Sequence, residues 1–115
     1  MQVCGLSAYL GNGAFTNIFN VMIILRIEHK MADYNGWKQA FDSDPINRKE
    51  SGVKRYRIYR RSGDESVVVI DLEFDNLEQA ERTQEALRNV FGMMEGKLIF
   101  GVQTTILTVV EDVEL

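Results

Sequence analysis

Alternating and periodic runs of apolar residues in the first half of the chain predict a strand followed by a broken helix. Residues 21–30 (VMIILRIEHK) are β-branched and apolar and then alternate with polar residues, as in a strand buried on one face. Asp33 can cap a helix whose apolar residues recur at helical spacing, namely Tyr34, Trp37, Ala40 and Phe41. Asp44 followed by Pro45 is typical of an N-cap and first helical position, so a second short helix should follow and end at Gly52.

The second half of the chain predicts a hairpin, a long helix and a last strand. Residues 53–61 (VKRYRIYRR) and 66–74 (SVVVIDLEF) are strand-like and flank a turn at Gly63-Asp64. A capping box then begins a helix that should end at Gly92, and it consists of Asp75 and Glu78. The final run, QTTILTVV, is again rich in β-branched residues.

The predicted order is therefore β-α-β-β-α-β, the order of an α+β ferredoxin-like domain. Two such β-α-β units with right-handed crossovers place both helices on one face of a four-stranded antiparallel sheet. Alternate strand residues point to opposite faces, so the other, open face can be listed from parity. It should carry Ile24, Arg26, Glu28, Arg55, Arg57, Tyr59, Arg61, Val67, Val69, Asp71 and Glu73.

The hairpin register can be predicted from its apolar rows. Pairing Ile58 with Ile70 keeps the apolar side chains of both strands on the helix face. That register places Arg57 opposite Asp71. Such a pair could bind a carboxylate or enolate and hold an acid at a shifted pKa, or it could be a cross-strand pair that closes a dimer interface.

Composition narrows the class of protein. The chain has 115 residues, which suits one domain, and its 45% hydrophobic and 26% charged residues are those of an ordinary globular protein. A net charge of −4 would repel a phosphate backbone, so nucleic acid is not an expected partner. Cys4 is the only cysteine, which excludes an intramolecular disulfide, fits a cytoplasmic location and leaves no expected metal site.

The first 20 residues contain no charged side chain, yet they do not read as a membrane anchor. A signal peptide has a basic segment before its apolar run, and a membrane span needs about 20 mostly apolar residues. Here glycines and asparagines interrupt the run and no Lys or Arg precedes it. We expect residues 1–20 to be an appendage, explained by an upstream start codon, and residues 21–115 to form the domain.

His29 and Trp37 are the candidate chemical groups on the helix side of the sheet. His29 is the only histidine, and its near-neutral pKa would suit a general base beside Trp37. A lone histidine at the end of a strand is more often structural, and Trp37 lies at core spacing with Tyr34 and Phe41. Both interpretations stay open at this point.

Two runs, DYNGWKQAFDSDPINRKESGVKRYRIYRR and VVVIDLEFDNLEQAERTQEAL, resemble small bacterial proteins of the dimeric α/β-barrel superfamily. That group includes proteins similar to antibiotic-biosynthesis monooxygenases and relatives named cyclases. The resemblance covers roughly residues 22 to 111. It implies a homodimer in which two open sheet faces meet, with a pocket for a small apolar or aromatic ligand in each protomer or in the barrel lumen.

The resemblance leaves the activity open. Cofactor-independent monooxygenases of this group carry an Asn, a Trp and an Arg around an aromatic substrate, and this chain offers Trp37 and open-face arginines but no strand asparagine. Haem-degrading relatives place a histidine on the second helix, which this chain lacks, so no cofactor is expected. The alternatives are a small-molecule-binding dimer, a cofactor-independent monooxygenase or cyclase acting on a polycyclic aromatic or ketone, and a structural protein without a ligand. The candidate pocket residues are Arg26, Glu28, His29, Trp37, Arg57, Tyr59 and Asp71.

Overall fold

The computed structural model describes residues 22–115, and the predicted appendage at residues 1–20 lies outside them. The strands are β1 (Ile23–Met31), β2 (Arg55–Arg61), β3 (Asp64–Phe74) and β4 (Ile99–Thr108). The helices are α1 (Tyr34–Asp42), α2 (Arg48–Ser51) and α3 (Leu77–Met94). This order confirms the predicted β-α-β-β-α-β arrangement, with α2 as a short extra helix before β2.

The four strands form one antiparallel sheet in the order β2-β3-β1-β4. The predicted hairpin register is confirmed, since Ile58 lies opposite Ile70 and Arg57 lies opposite Asp71. The β1 to β3 register places Arg26 opposite the same Asp71. The carboxylate of Asp71 is therefore flanked by an arginine on each neighbouring strand.

Helix α1 begins as the sequence predicts, and α3 begins and ends elsewhere. The carboxylate of Asp33 accepts a hydrogen bond from the backbone N–H of Gly36 at 2.8 Å, as an N-cap should. For α3 the cap is Asn76, not the predicted Asp75, and its side chain accepts from the N–H of Gln79. The helix also continues beyond Gly92 to Met94, because Gly92 keeps helical geometry and the chain becomes extended only at Glu95.

The predicted start of the second short helix at Asp44-Pro45 is wrong. Asp44 has a left-handed backbone with φ 56°, so it turns the chain instead of starting a helix. Asn47, with φ 52°, occupies the N-cap position, and α2 begins at Arg48. Its predicted end at Gly52 is confirmed, with φ 103° at that glycine.

The core lies between the sheet and the helices. Odd-numbered residues of β1 and even-numbered residues of β3 are buried there, which confirms the predicted parity. The largest completely enclosed side chains are Phe74, Leu25, Leu72, Ile99 and Val68. No helix between residues 22 and 115 is long and apolar enough to cross a membrane.

The open face of the sheet has no covering layer within residues 22–115. It combines charged side chains with partly exposed apolar ones, including Tyr59 at 36% exposure, Phe100 at 39% and Leu107 at 36%. Asp71 and Val67 are nonetheless buried on this face by their neighbours. Among residues 22–115, one side of the sheet is packed against helices and the other side is left uncovered.

Candidate functional site

A small cavity lies between the helix face of the sheet and the helices. Its volume is about 60 Å³, and its walls come from β1, β3, α1, α3 and the segment before α2. Most of the lining is apolar and includes Ile27, Trp37, Phe41, Leu87, Phe91 and Met94. Two polar side chains, those of His29 and Arg48, also line it. Binding sites for small molecules are usually apolar cavities with a small number of polar groups in their walls.

His29 is held in this wall in one tautomer. It is only 2% exposed, and Nδ1 lies 3.0 Å from the carbonyl oxygen of Lys30. A carbonyl oxygen can only accept, so in the neutral ring the proton is on Nδ1 and Nε2 keeps a lone pair. Burial lowers the pKa of His29 below its ordinary 6.5, against a smaller opposing effect of the Lys30 hydrogen bond. Near pH 7 the ring is therefore neutral, and Nε2 can accept a hydrogen bond or a proton.

Aromatic rings surround His29. The centroid of the Trp37 ring lies 5.9 Å from that of His29 in an edge-on arrangement, and the Phe91 ring lies 6.5 Å away. Trp37 also contacts Tyr34 and Phe41, with centroids at 5.7 and 5.3 Å. Trp37 is 3% exposed and belongs to the core. The two sequence interpretations of Trp37 are therefore compatible, because it is a core residue that also lines the cavity.

Asp71 is the centre of a polar cluster on the opposite face of the sheet. Its carboxylate accepts hydrogen bonds from Nε of Arg26 at 2.8 Å, from Nη2 of Arg26 at 2.9 Å and from the hydroxyl of Tyr59 at 2.9 Å. Burial opposes ionisation of Asp71, but these hydrogen bonds outweigh it, so the pKa of Asp71 lies below its usual value. Asp71 is therefore a fixed carboxylate and not a poised acid.

The ion-pair partner of Asp71 is thus Arg26, and the expected pair with Arg57 does not form. Arg57 is exposed and forms no ion pair with any of the residues 22–115. The charge of Arg57 still lowers the pKa of Asp71 through space, but this is the smallest of the contributions to that pKa. The hairpin register therefore predicted that Arg57 and Asp71 are neighbours, but it did not predict the ion pair of Asp71 with Arg26.

A second depression opens on the same face, at the end of the sheet where β1 and β4 shift register. Its volume is about 240 Å³, and its rim includes Glu28, Lys30, Arg61 and Phe100. Glu28 accepts a hydrogen bond from Arg61 at 3.0 Å. Both partners of this pair are about half exposed, so the pair contributes little to stability.

The sheet separates the candidate residues into two groups. His29 and Trp37 lie together at the cavity between sheet and helices. The others lie on the open face, and they are Arg26, Glu28, Arg57, Tyr59 and Asp71. The depression at the end of the sheet is lined by both Glu28 and His29, so it contacts one residue of each group. The same described residues contain no cluster of three His, Cys, Asp or Glu side chains that could hold a metal ion.

Sequence reasoning missed Arg48 and the pairing of Arg26. Arg48 reaches the cavity because the turn at Asp44 folds the chain back over α1, and no periodic pattern marks that turn. The Arg26 to Asp71 pair did leave a signal. Sheet order in a split β-α-β arrangement puts β1 beside β3, and the matching of their apolar rows would have placed the two residues opposite each other.

Comparison with known proteins supports the fold and gives no activity. No known protein family and no curated protein matches the chain. Among solved structures, a protein from Shewanella oneidensis is similar at 15% identity and a TM-score of 0.61, over 78% of this chain and 92% of that one. Two proteins from uncultured marine organisms, both described as dimeric ferredoxin-like proteins, are also similar. The first is 16% identical with a TM-score of 0.59, over 81% of this chain and 99% of that one. The second is 13% identical with a TM-score of 0.58, over 84% of this chain and 95% of that one. The chain therefore has a ferredoxin-like α+β fold.

Proposed function

We propose that this protein is a homodimeric α/β barrel that binds a small apolar or aromatic ligand in the cavity between its sheet and helices. The observation that carries the proposal is the neutral, tautomer-fixed His29 in a wall that is otherwise mostly aromatic and aliphatic. Nε2 of His29 makes no hydrogen bond to any of the residues 22–115, and such a lone pair in apolar surroundings favours a ligand that presents a donor hydrogen. The ligand's remaining surface would contact the rings of Trp37 and Phe91.

The volume of the cavity limits the size of the ligand. A volume of about 60 Å³ is smaller than the roughly 150 Å³ of a protein cavity that holds benzene. A ring can enter only if a wall residue moves, and Met94 is suited to this because its side chain is flexible and lies in the last turn of α3. Small single-ring compounds are therefore the expected ligand size.

Trp37 makes the ligand proposal directly testable, because it is the only tryptophan and it lines the cavity. Titration with phenol should change Trp37 fluorescence saturably. The variant Ala40→Leu, which adds volume to the cavity wall, should remove the response without lowering the unfolding temperature. A response that survives Ala40→Leu would place the binding elsewhere, and no response to any single-ring compound would contradict the proposal.

The dimer proposal rests on the open face. Apolar side chains such as Ile24, Val69 and Leu107 share that face with Arg26 and Asp71, and a second copy would remove them from water. Two structurally similar proteins are described as dimeric, which favours the same assembly here. Pairing through this face would bury the Asp71 cluster in the barrel lumen.

Sedimentation equilibrium tests the dimer. The wild-type chain should have twice the chain mass of 13.2 kDa. Val69→Glu puts a charge at the centre of the open face and should yield a folded monomer, whereas the matched change Asn89→Glu on the exposed side of α3 should leave the dimer intact. A wild-type monomer at micromolar concentration, or a Val69→Glu variant that stays dimeric, would contradict pairing through this face.

A cofactor-independent monooxygenase or cyclase is the second candidate function. It is favoured by the neutral His29, which could accept a proton from an acidic hydroxyl of a bound substrate. It ranks second because a cavity of about 60 Å³ is far below the 300 Å³ or so at which drug-sized ligand sites begin. An oxygen electrode with a hydroxylated polycyclic ketone would detect a monooxygenase, since it consumes dioxygen and His29→Gln should abolish that consumption. Chromatography of the same mixture would detect a cyclase, because a cyclised product would form without loss of dioxygen.

A further inference from the structure

Arg48 brings a cation to the same cavity at which His29 offers a neutral acceptor. Its side chain is only 15% exposed, and its guanidinium carbon lies 4.0 Å from the centre of the Phe41 ring and 5.0 Å from that of Tyr56. Nη1 donates to the carbonyl oxygen of Phe41 at 2.8 Å. Within residues 22–115, Nε and Nη2 make no hydrogen bond, so the guanidinium retains donors for a further acceptor.

The neighbouring carboxylate of Asp44 does not saturate this cation. Its Oδ1 accepts a hydrogen bond from the backbone N–H of Arg48 at 2.8 Å, while the distance from the same oxygen to Nη1 is 3.5 Å. A distance of 3.5 Å is longer than that of a charge-assisted hydrogen bond. Asp44 therefore orients the backbone of Arg48 more than it neutralises the guanidinium.

The turn that carries Arg48 is built with backbone strain. Asp44 and Asn47 are non-glycine residues with positive φ, at 56° and 52°. Between them the chain is held by a hydrogen bond from the hydroxyl of Ser51 to the carbonyl oxygen of Ile46 at 2.7 Å. Asp and Asn adopt the left-handed region more readily than other non-glycine residues, and such residues are found at turns and ligand clamps. This turn places Arg48 at the cavity.

A continuous row of rings joins His29 to Arg48. Centroid spacings are 5.9 Å from His29 to Trp37 and 5.3 Å from Trp37 to Phe41, and the Arg48 guanidinium lies over Phe41. All four residues line the cavity. A planar ligand could therefore place its ring against Trp37 and Phe41 with a polar group at one or both ends.

We propose that the ligand class is a small aromatic carboxylic acid, with its carboxylate bound by the free donors of Arg48 and its ring on the wall formed by Trp37 and Phe41. A planar guanidinium matches a carboxylate in two parallel hydrogen bonds, which an ammonium group cannot provide. This inference rests on the proposed function, because it requires that the cavity binds a ligand. Beyond the proposed function, it specifies that the ligand is negatively charged and that Arg48 is the residue that selects it.

The test compares benzoate with benzamide, which have nearly the same size and shape and differ in charge, by titration of Trp37 fluorescence. Wild-type protein should bind benzoate about 10 to 100 times more tightly, as expected for a charge-assisted pair. Because Arg48 is largely buried, the preference should persist at 0.5 M salt, where attraction by exposed charges is screened. Arg48→Gln should weaken benzoate binding far more than benzamide binding, so that the two affinities come within about twofold of each other.

The outcomes separate this inference from the proposed function. If benzamide binds as tightly as benzoate to the wild type, Arg48 is not an anion anchor, although the cavity still binds ligands. If neither compound affects Trp37, this inference fails, and the proposed function fails with it if phenol also gives no response. The matched control Arg82→Gln, at an exposed cation paired with Glu78 on α3, should retain the preference for benzoate. Should Arg48→Gln not fold, the wild-type affinity ratio at low and high salt still decides the question.

Discussion

The Asp71 cluster gives a quantitative prediction about which arginine stabilises the open face. Asp71 lies between Arg26 and Arg57 in the sheet, yet it accepts two hydrogen bonds from Arg26 and none from Arg57. We therefore expect Arg26 and Asp71 to be energetically coupled. Arg57 serves as a matched control, because it has the same side chain and lies opposite the same carboxylate.

The size of the coupling follows from exposure. Exposed ion pairs are worth about 0 to 1 kcal/mol, and breaking a buried pair costs about 3 to 5 kcal/mol. In the single protomer the side chain of Asp71 is 11% exposed and that of Arg26 is 46% exposed, so the pair is intermediate there, and burial in the proposed dimer would strengthen the coupling. We expect a coupling free energy of about 1.5 to 2 kcal/mol for Arg26 with Asp71, and about 0 to 0.5 kcal/mol for Arg57 with Asp71.

Two double-mutant cycles measured by urea unfolding provide the assay. Each combines Asp71→Ala with Arg26→Ala or with Arg57→Ala, at one protein concentration because a dimer's stability depends on concentration. With a urea dependence of about 1.5 kcal/mol per molar, the larger coupling corresponds to roughly 1 M in midpoint. Equal couplings in the two cycles would refute the selective pairing. Absence of coupling in both would show that the cluster is fully solvated.

Three further predictions concern pH, backbone conformation and chain length. Burial lowers the folded-state pKa of His29, so the unfolded chain binds its proton first and the free energy of unfolding should fall as the pH drops below 6.5. The single histidine resonance should titrate below 6.5, and His29→Gln should lack the stability loss between pH 7.5 and 5. Gly52→Ala should destabilise the protein by about 1 to 2 kcal/mol, because φ at this residue is 103°. Gly92→Ala, in open space inside α3, should stabilise the protein by about 0.5 to 1 kcal/mol. Destabilisation by Gly92→Ala would mean that α3 ends at this residue. A chain that starts at Met22 should unfold at nearly the same temperature as the full chain, and strong destabilisation would show that the preceding residues contribute to the fold.

Helix ends show where local patterns are insufficient. Asp33 caps α1 as predicted, because the capping hydrogen bond joins residues only three apart. Asp44 resembles an equally good cap before proline, but its side chain bonds the N–H of Arg48 from a left-handed turn. The same residue type can thus start a helix or reverse the chain. Packing of the following segment against α1 and α3 selects between these outcomes.

The order of the elements, the two faces of the sheet and the hairpin register could all be predicted from the sequence. These properties depend on a period of two in strands and on the free energy of removing apolar rows from water, and both are written in neighbouring residues. Ile58 and Ile70 had to meet, and with them Arg57 and Asp71 had to become neighbours.

Which polar groups act together could not be predicted in this way, because it depends on contacts between distant parts of the chain. Asp71 pairs with Arg26, 45 residues away, because sheet order brings β1 beside β3 and the guanidinium can reach both carboxylate oxygens. Arg48 meets the aromatic wall of His29 only because a strained turn folds the chain over α1. Directional contacts between distant residues depend on angles and distances of a few tenths of an ångström, which no periodicity of the chain encodes.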